Sequence, residues 1–203
     1  MEPAGHDQDA QRREHVIDTA TRLFAALGYD ATPITAVADA CGVDASTITA
    51  VVGDKQALYR AVMERTQARQ RAMFDAVITE FTPDRAGLHR LADLVLDYCV
   101  AHPEHAALWM HRWHYDAADI PELETVYLHP EFERFRGVLR KVTPAEVDVE
   151  LALQTIAWAI RGFCVGGVLN SRGEREGPES PVLLDRFRQH LHHLADQLFP
   201  LER

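Results

Sequence analysis

The sequence has few cysteines, few lysines and no excess of positive charge. Its three cysteines are far apart and show no CxxC spacing, which favours reduced thiols over a disulfide framework and is typical of a cytoplasmic protein. Lysine and arginine total 21 against 31 aspartate and glutamate residues, so the net charge of −10 argues against nucleic-acid binding through bulk positive charge. The apolar stretch of a signal peptide is also missing from the first fifteen residues.

One long apolar run raises the question of a membrane. Residues 151–169 are mostly apolar, but Arg161 lies in the middle of the run, where a bilayer would penalise it by about 2.5–3.5 kcal/mol. A membrane-spanning helix also needs about 20 predominantly apolar residues. We therefore expect a buried helix and no membrane association.

Helical periodicity extends along the whole chain, and no strand or hairpin pattern is apparent. Apolar residues recur at helical spacing from Val16 to Leu27, and two short helices are expected at 34–41 and 45–52. Thr32 is expected to cap the first short helix, Asp44 the second, and Asp54 the long helix that follows. Later helices are predicted over 55–81, 88–98, 104–115, 121–127, 131–142, 145–169 and 182–199, with a polar loop at 171–181. The predicted fold class is therefore all-α.

Two short helices joined by a turn at Gly42 are typical of a DNA-binding helix-turn-helix. The second helix of such a pair enters the major groove, which is wide enough to admit an α-helix. The spacing by itself also fits any small helical bundle with a glycine turn.

A denser pattern of residues covers this region. It reads Ala20-x-x-Leu23-Phe24-x-x-x-Gly28-Tyr29-x-x-Thr32-x-Ile34-x-x-Val37-Ala38-x-x-Cys41-Gly42-Val43, then Ser46-Thr47-Ile48 and Asp54-Lys55-x-x-Leu58. The pattern resembles the signature of the TetR family of transcriptional regulators over about residues 14–62. The resemblance implies a three-helix DNA-binding domain at 1–54 and a helical effector-binding and dimerisation domain at 55–203. It also implies a homodimeric regulator, most often a repressor, that a small molecule releases from operator DNA.

The resemblance assigns DNA contacts to individual positions. Thr32 matches the hydroxyl that caps the first short helix and touches a phosphate, and Lys55 matches a lysine that binds phosphate together with a helix N-terminus. The full predicted DNA-binding set is Thr32, Thr35, Ala45, Ser46, Thr49, Ala50 and Lys55. Helix capping is the alternative for each Thr and Ser. Arg12 and Arg13, expected ahead of the first helix, would reach the DNA backbone or remain a solvated tail.

Four residues depart from the family's pattern. Thr49 occupies the position of a tyrosine that normally contacts phosphate, Val51 and Val52 follow where a His-Phe pair is common, and Ser46 replaces a glycine. These departures leave an alternative function open. The chain would then be a TetR-like ligand-binding or protein-interaction module that has lost DNA binding.

Aromatic residues are frequent in the second domain, where an apolar pocket with a few polar groups would suit a small molecule. Trp109 and Trp113 lie one helical turn apart among polar residues, so their helix is predicted to form a pocket wall. The predicted ligand-binding residues are Phe74, Tyr98, Trp109, Trp113, His114 and Trp158. Plain hydrophobic core is the alternative for each of them.

Two C-terminal segments predict a dimer interface. Residues 145–169 are apolar on two faces, so one face would pack within the domain and the other on a partner chain. Together with the apolar stripe of residues 182–199, they would form a four-helix interface in a two-fold homodimer.

The eleven histidines do not predict a metal or an enzyme. The pairs His102/His105 and His111/His114 have helical spacing, but no cysteine or further ligand lies beside them, so we expect no metal and no cofactor. Cys99 and His102 are the only pair that resembles a nucleophile with its base. No third group is placed to orient them, and we expect no catalysis.

Overall fold

The computed structural model describes residues 4–201, without the side chains of residues 4–7 and 76. It confirms the all-α prediction. The helices are α1 (Ala4–Leu27), α2 (Ile34–Cys41), α3 (Ala45–Val52), α4 (Lys55–Thr79), α5 (Arg85–Ala101), α6 (Pro103–Trp113), α7 (His129–Leu139), α8 (Val149–Gly166) and α9 (Pro181–Leu198). A five-residue π-helical turn, Glu124–Leu128, precedes α7 and replaces the helix predicted at 121–127.

The short helices begin and end at residues whose types favour these positions. Gly42 ends α2 in the left-handed region at φ 69°, and Gly53 ends α3 at φ 88°. The Asp44 carboxylate caps α3 by accepting the Thr47 N–H at 2.7 Å, and Asp54 accepts the Ala57 N–H at 2.8 Å at the start of α4. The caps predicted for α3 and α4 are therefore confirmed.

One small element lies inside the predicted loop. Strands β1 (Val168–Leu169) and β2 (Arg175–Glu176) pair antiparallel. The Asn170 side-chain oxygen accepts two backbone N–H groups across the turn, and Gly173 adopts φ 77°. Two-residue strands are too short to show the alternation that predicts a strand, which is why sequence periodicity missed them.

The chain divides into two compact units, which we describe separately. The first contains Met1–Ala68 and Ala107–Tyr127, and the second contains Arg69–Ala106 and Leu128–Arg203. The predicted boundary at residue 54 between a DNA-binding and an effector-binding domain does not coincide with this division, and it stays a prediction.

The first unit is centred on three aromatic rings. Phe24 of α1 meets Tyr59 of α4 edge to face at a centroid distance of 5.1 Å, and Tyr29 lies 4.8 Å from Tyr59. Val37 and Ile48 are fully buried from α2 and α3. This packing fixes the two short helices against α1 and α4.

Residues 107–127 are joined to the first unit by hydrogen bonds as well as by buried apolar side chains. The Asp116 carboxylate accepts the backbone N–H groups of Tyr29 at 2.6 Å and of Asp30 at 2.8 Å. Its neighbours Tyr115 and Ala117 both adopt positive φ, at 67° and 55°. Asp116 therefore satisfies the backbone of the turn between α1 and α2 from a distant part of the chain.

The second unit has its core between α5, α8 and α9. Leu96 and Ile160 are fully buried there, with Leu191 of α9. Phe163 and Phe187 stack in parallel at a centroid distance of 4.0 Å. By length and composition alone α8 could cross a membrane, a test that the core helix of a soluble protein also passes.

Candidate nucleic-acid interface and ligand cavity

Helix α3 presents an exposed polar face on the first unit. Ser46, Thr49 and Ala50 are exposed, Ala45 is half-buried, and Ile48 points into the core. The structure therefore brings together on one surface the four positions predicted on this helix.

The two hydroxyl groups on this face already donate hydrogen bonds within the protein. Ser46 donates to the Asp44 carboxylate at 2.6 Å, and Thr49 donates to the Ala45 carbonyl at 3.0 Å. The Ser46 hydrogen bond, with that of the Thr47 N–H, lowers the pKa of Asp44, so this carboxyl stays ionised to lower pH than a free aspartate. The exposed face of α3 consequently offers hydrogen-bond acceptors and a negative charge.

The prediction that the Thr32 hydroxyl caps α2 is wrong, and its predicted contact with a phosphate stays a prediction. Thr32 is fully buried, and its hydroxyl donates to the Gly28 carbonyl at 2.6 Å. Pro33 is the residue at the N-cap, with no side-chain hydrogen bond. A threonine hydroxyl can bond to a carbonyl four residues earlier as readily as it can cap a helix, and here the backward bond holds the turn after α1. Thr35, in the first turn of α2, is exposed.

Lys55 lies at the first position of α4, as the sequence predicts. Its ammonium nitrogen lies 4.2 Å from the centre of the Tyr29 ring and 3.5 Å from the Asp30 carbonyl oxygen. A cation–π contact at a partly exposed site contributes about 0.5–1 kcal/mol, so it can be exchanged for a phosphate contact. Lys55 is thus held close to the N-terminus of α4 before any ligand arrives.

The surroundings of this surface are acidic. Asp30, Asp39, Asp44 and Asp54 are all exposed. The predicted arginines of the N-terminus lie within α1 rather than in a tail, and Arg12 pairs with Asp9 at 3.4 Å. The net charge of this surface does not attract DNA phosphates. Binding to a DNA backbone would therefore depend on individual local contacts.

The second unit contains an apolar cavity of about 700 Å³, counting the part open to solvent. Helices α4, α5, α7, α8 and α9 all contribute to its wall. The lining residues are Gln70, Phe74, Leu88, Leu91, Ala92, Val95, Leu128, Glu131, Phe132, Phe135, Leu139, Leu153, Ile156, Ala157, Arg161, Ala195 and Phe199. A mostly apolar lining with a few polar side chains is typical of a small-molecule site.

Of the predicted ligand-binding residues, Phe74 lines this cavity. Trp109 is buried in the first unit, and Trp113 and His114 belong to that unit too, half-buried and exposed respectively. Tyr98 is buried in the second unit, and Trp158 is exposed on α8. The α6 helix is therefore not a wall of this cavity, because residues 107–127 pack with the first unit.

Three polar residues of the cavity were not predicted from the sequence to contact a ligand. Glu131 is buried, and its two carboxylate oxygens lie 3.0 Å from Arg71 and 3.3 Å from Arg134. Gln70 and Arg161 are also buried. The signal in the sequence is a polar side chain inside an apolar helical stretch, and at Arg161 it argues against a membrane span without pointing to a ligand.

Arg161 lies beside several polar groups of the second unit. Burial lowers the pKa of its guanidinium. Burial, and then the charge of Arg161, lower the pKa of His105 to about 3, so this imidazole is neutral at physiological pH. A hydrogen bond donated by Cys164 lowers the pKa of the Cys99 thiol, against the opposing effect of burial.

The predicted histidine pairs do not converge on a common centre. His105 is buried against the Tyr98 ring, and His111 bonds to the Ala25 carbonyl at 3.0 Å while His114 is exposed. Within the described part of the chain, no three His, Cys, Asp or Glu side chains are grouped so that they could hold a metal ion.

Helix α8 carries an exposed apolar line, which we call the α8 stripe: Leu151, Trp158 and Val165, spaced by seven residues. Their side chains are 61%, 51% and 47% exposed. Gly162 lies on the same face. The sequence predicts two other apolar faces for residues 145–169, one of them free for a partner chain. The first of these faces contains Ala152, Ile156, Ala159, Phe163 and Gly167, and the structure buries its Phe163 in the core.

Comparisons with known proteins agree with this geometry. The family model of bacterial regulatory proteins of the tetR family matches residues 16–62. A ketosteroid transcriptional regulator of Mycobacterium tuberculosis is 16% identical, with a TM-score of 0.67 over 93% of this chain and 95% of that one. The TetR-family regulator PfmR of Thermus thermophilus is 19% identical, with a TM-score of 0.66 over 93% and 99% of the two chains. A transcriptional regulator of Aquifex aeolicus is 18% identical, with a TM-score of 0.66 over 90% and 99%.

A direct comparison of sequences finds no matching curated protein. At identities below 20%, the solved structures establish the fold, and the family model supplies the match at the level of residues. The helix-turn-helix of α2 and α3 thus lies in a segment that matches the tetR family model, and the whole chain has the helical fold found in solved transcriptional regulators of the TetR family.

Proposed function

We propose that the protein is a cytoplasmic, ligand-responsive transcriptional repressor that binds operator DNA as a homodimer, and that it is not an enzyme. The exposed face of α3 in a TetR-type helix-turn-helix carries this proposal. The apolar cavity of the second unit supports the ligand response.

The contacts to DNA would divide into two kinds. Lys55 and the N-terminus of α4 would bind a phosphate, and this contact positions the protein without reading sequence. Ser46 and Thr49 would read bases. Because both hydroxyl protons are engaged within the protein, these residues present acceptors, which suit the amino groups of adenine and cytosine in the major groove.

A two-fold dimer would place two copies of α3 on successive major grooves. Such half-sites lie about 34–36 Å apart. The α8 stripe is the surface that supports this assembly, since an exposed apolar line with seven-residue spacing is typical of packed helices. Helix α9 would join it in a four-helix interface, as residues 182–199 predict.

Helix α4 contains residues of both the cavity and the candidate DNA interface. Its residues Gln70 and Phe74 line the cavity, and its first residue is Lys55. A ligand that binds one position of α4 better than another would shift the population of DNA-binding dimers. Repression relieved by the ligand is the expected outcome.

A gel-shift titration with DNA from upstream of the protein's own gene tests the proposal. The expected result is a shifted band at low salt that unrelated DNA of equal length competes weakly. Ser46→Ala should change the preferred base at one operator position, while Lys141→Ala, at an exposed position outside α8 and α9, should change nothing. A folded dimer that retains no sequence from an operator library would contradict DNA binding.

One observation favours a second candidate. Four exposed aspartates surround the candidate interface, and Asp44 keeps its charge at the start of α3. A TetR-like module that binds ligand or another protein without DNA fits this acidity. Thr49→Tyr separates the two, because a gain of DNA affinity would show that the fold is intact and that only a contact is missing.

A further inference from the structure

We propose that the cavity of the second unit takes an uncharged ligand with a hydrocarbon body, and that it excludes molecules that carry an ionised group. The inference rests on the ligand-responsive function proposed above, and it adds the chemical class of the ligand. The apolar wall favours the hydrocarbon body, and the three polar residues of the wall, which already have partners within the protein, disfavour a charge on the ligand.

The wall of the cavity favours a hydrocarbon body. Fourteen of the seventeen described residues that line it are apolar, and four of these are the phenylalanines Phe74, Phe132, Phe135 and Phe199. Phe74 and Phe135 meet edge to face at a centroid distance of 4.9 Å. Burying apolar ligand surface against such a wall is favourable by about 25 cal/mol per Å². A polar ligand group would lose its hydration at most points of the wall without gaining a hydrogen bond.

The buried carboxylate of Glu131 does not select a cationic ligand. Its Oε1 atom lies 3.0 Å from the Nε atom of Arg71, and its Oε2 atom lies 3.3 Å from the Nη1 atom of Arg134. The negative charge is therefore neutralised by two cations of the protein itself. A ligand ammonium would lose its hydration and would have to compete with both arginines for this carboxylate.

Arg161 and Gln70 do not offer a site for an anionic ligand. Both residues are buried, and both already interact with other groups of the protein. The Nε and Nη1 atoms of Arg161 are buried away from the open space of the cavity, so a ligand carboxylate does not reach them. Burial also lowers the pKa of this guanidinium, because a low dielectric disfavours the charged form. An ionised ligand group would meet the same penalty here without a partner of its own.

Competition against an uncharged fluorescent probe, N-phenyl-1-naphthylamine, tests the assignment. The competitors are decan-1-ol, decanoate and decylamine, which share one chain, and 2-naphthol and naphthalene-2-carboxylate, which share one ring system. We expect the probe to bind at one molecule per chain and at least one uncharged competitor to displace it. This competitor should bind at least tenfold tighter than the charged molecules of the same body. The hydration that a charge loses on burial is large enough for a difference of this size.

Two kinds of variant place the binding in the cavity and test its charge selectivity. Ala157→Phe fills the cavity from α8 and should lower the affinity for decan-1-ol at least tenfold, and Leu153→Trp is the second filling variant. Val95→Arg adds a cation to the wall from α5, where no acidic residue lies three or four positions away. It should raise the affinity for decanoate at least tenfold and weaken that for decan-1-ol.

Matched controls use an exposed position on the same helix as Val95. Ala101 is the last residue of α5 and does not line the cavity. Ala101→Phe and Ala101→Arg make the same kinds of change there and should leave the affinities for decan-1-ol and decanoate as in the parent. Circular dichroism and a thermal melt establish that each variant is folded.

The assignment is overturned if no uncharged molecule binds, or if decanoate or decylamine binds the parent protein as tightly as decan-1-ol. It is also overturned if the folded filling variants bind decan-1-ol like the parent, or if folded Val95→Arg binds decanoate no better. A gel shift with each competitor keeps the two proposals apart. Decan-1-ol that binds in the cavity without releasing DNA would refute the ligand response alone. Release of DNA by decanoate but not by decan-1-ol would refute the ligand class alone.

Discussion

Tyr115 shows how one residue accepts an unfavourable backbone so that its neighbour can form two hydrogen bonds. Its φ of 67° is a conformation that favours glycine, and its side chain is 86% exposed. The adjacent Asp116 carboxylate reaches the N–H groups of Tyr29 and Asp30 from this turn. The left-handed conformation at Tyr115 is therefore part of how the turn presents Asp116.

Tyr115→Gly should stabilise the protein by about 0.5–1 kcal/mol. The reason is that a left-handed L-residue is disfavoured by roughly 1–2 kcal/mol, while glycine loses part of this gain through the entropy of the unfolded chain. Urea denaturation measures the change. Tyr115→Ala keeps the unfavourable backbone and should bring no gain, and a glycine variant less stable than the parent would contradict the argument.

Lys55 is the residue at which DNA binding and its salt dependence can be tested together. Lys55→Ala should weaken binding to every DNA sequence and make the slope of log affinity against log salt less negative by about 0.9, since one phosphate contact is lost. The chain contains one other lysine, Lys141, which is exposed in the second unit. Lys141→Ala is thus a matched control that should leave affinity and slope unchanged. A loss confined to one operator would instead assign Lys55 to base reading.

At the scale of elements, α8 has two different faces. Ile156, Ile160 and Phe163 are buried in the second unit, and the α8 stripe is exposed. Periodicity correctly predicts that this helix is apolar on more than one side. It does not tell which side the rest of its own chain covers, since α5, which packs on this helix, is distant in sequence.

Trp158→Glu should convert the dimer to a monomer while the fold is retained, because a charge at the centre of the α8 stripe would be buried without a partner in the interface. Multi-angle light scattering at micromolar concentration measures the mass. Gln11→Glu adds the same charge to an exposed position of α1, outside the predicted interface, and should leave the dimer intact. Phe163→Glu should behave differently and unfold the second unit, because Phe163 stacks on Phe187 in the core.

Most elements could be predicted from sequence, because each depends on a local pattern. The glycines at 42 and 53 and the carboxylates of Asp44 and Asp54 mark helix ends that the structure confirms. Thr32 could not be predicted in the same way, since its hydroxyl has two local partners and the sequence does not choose between them. The cavity could not be located either, because five helices from across the chain form its wall.

At the scale of the molecule, the first unit is assembled from two separated segments of the chain. Asp116→Ala should destabilise it by about 1–3 kcal/mol, since the Tyr29 N–H would lose its acceptor in a partly buried place. Denaturation in urea, followed by tyrosine and tryptophan fluorescence, would measure the loss. Asp39→Ala, at an exposed position of α2, is the comparison and should be nearly neutral. Equal stability of the two variants would mean that these long-range bonds add nothing.

The same two-segment construction sets an order of events during protein synthesis. Residues up to 68 are made first, but the Asp116 carboxylate and the buried Ile120 and Leu123 belong to a segment that ends at residue 127. At about 5–20 residues per second, the intervening stretch takes roughly 3–12 s to translate. During that time α2 and α3 leave the ribosome with part of their apolar surface uncovered. We therefore expect the nascent chain to need protection from aggregation until residue 127 has been made.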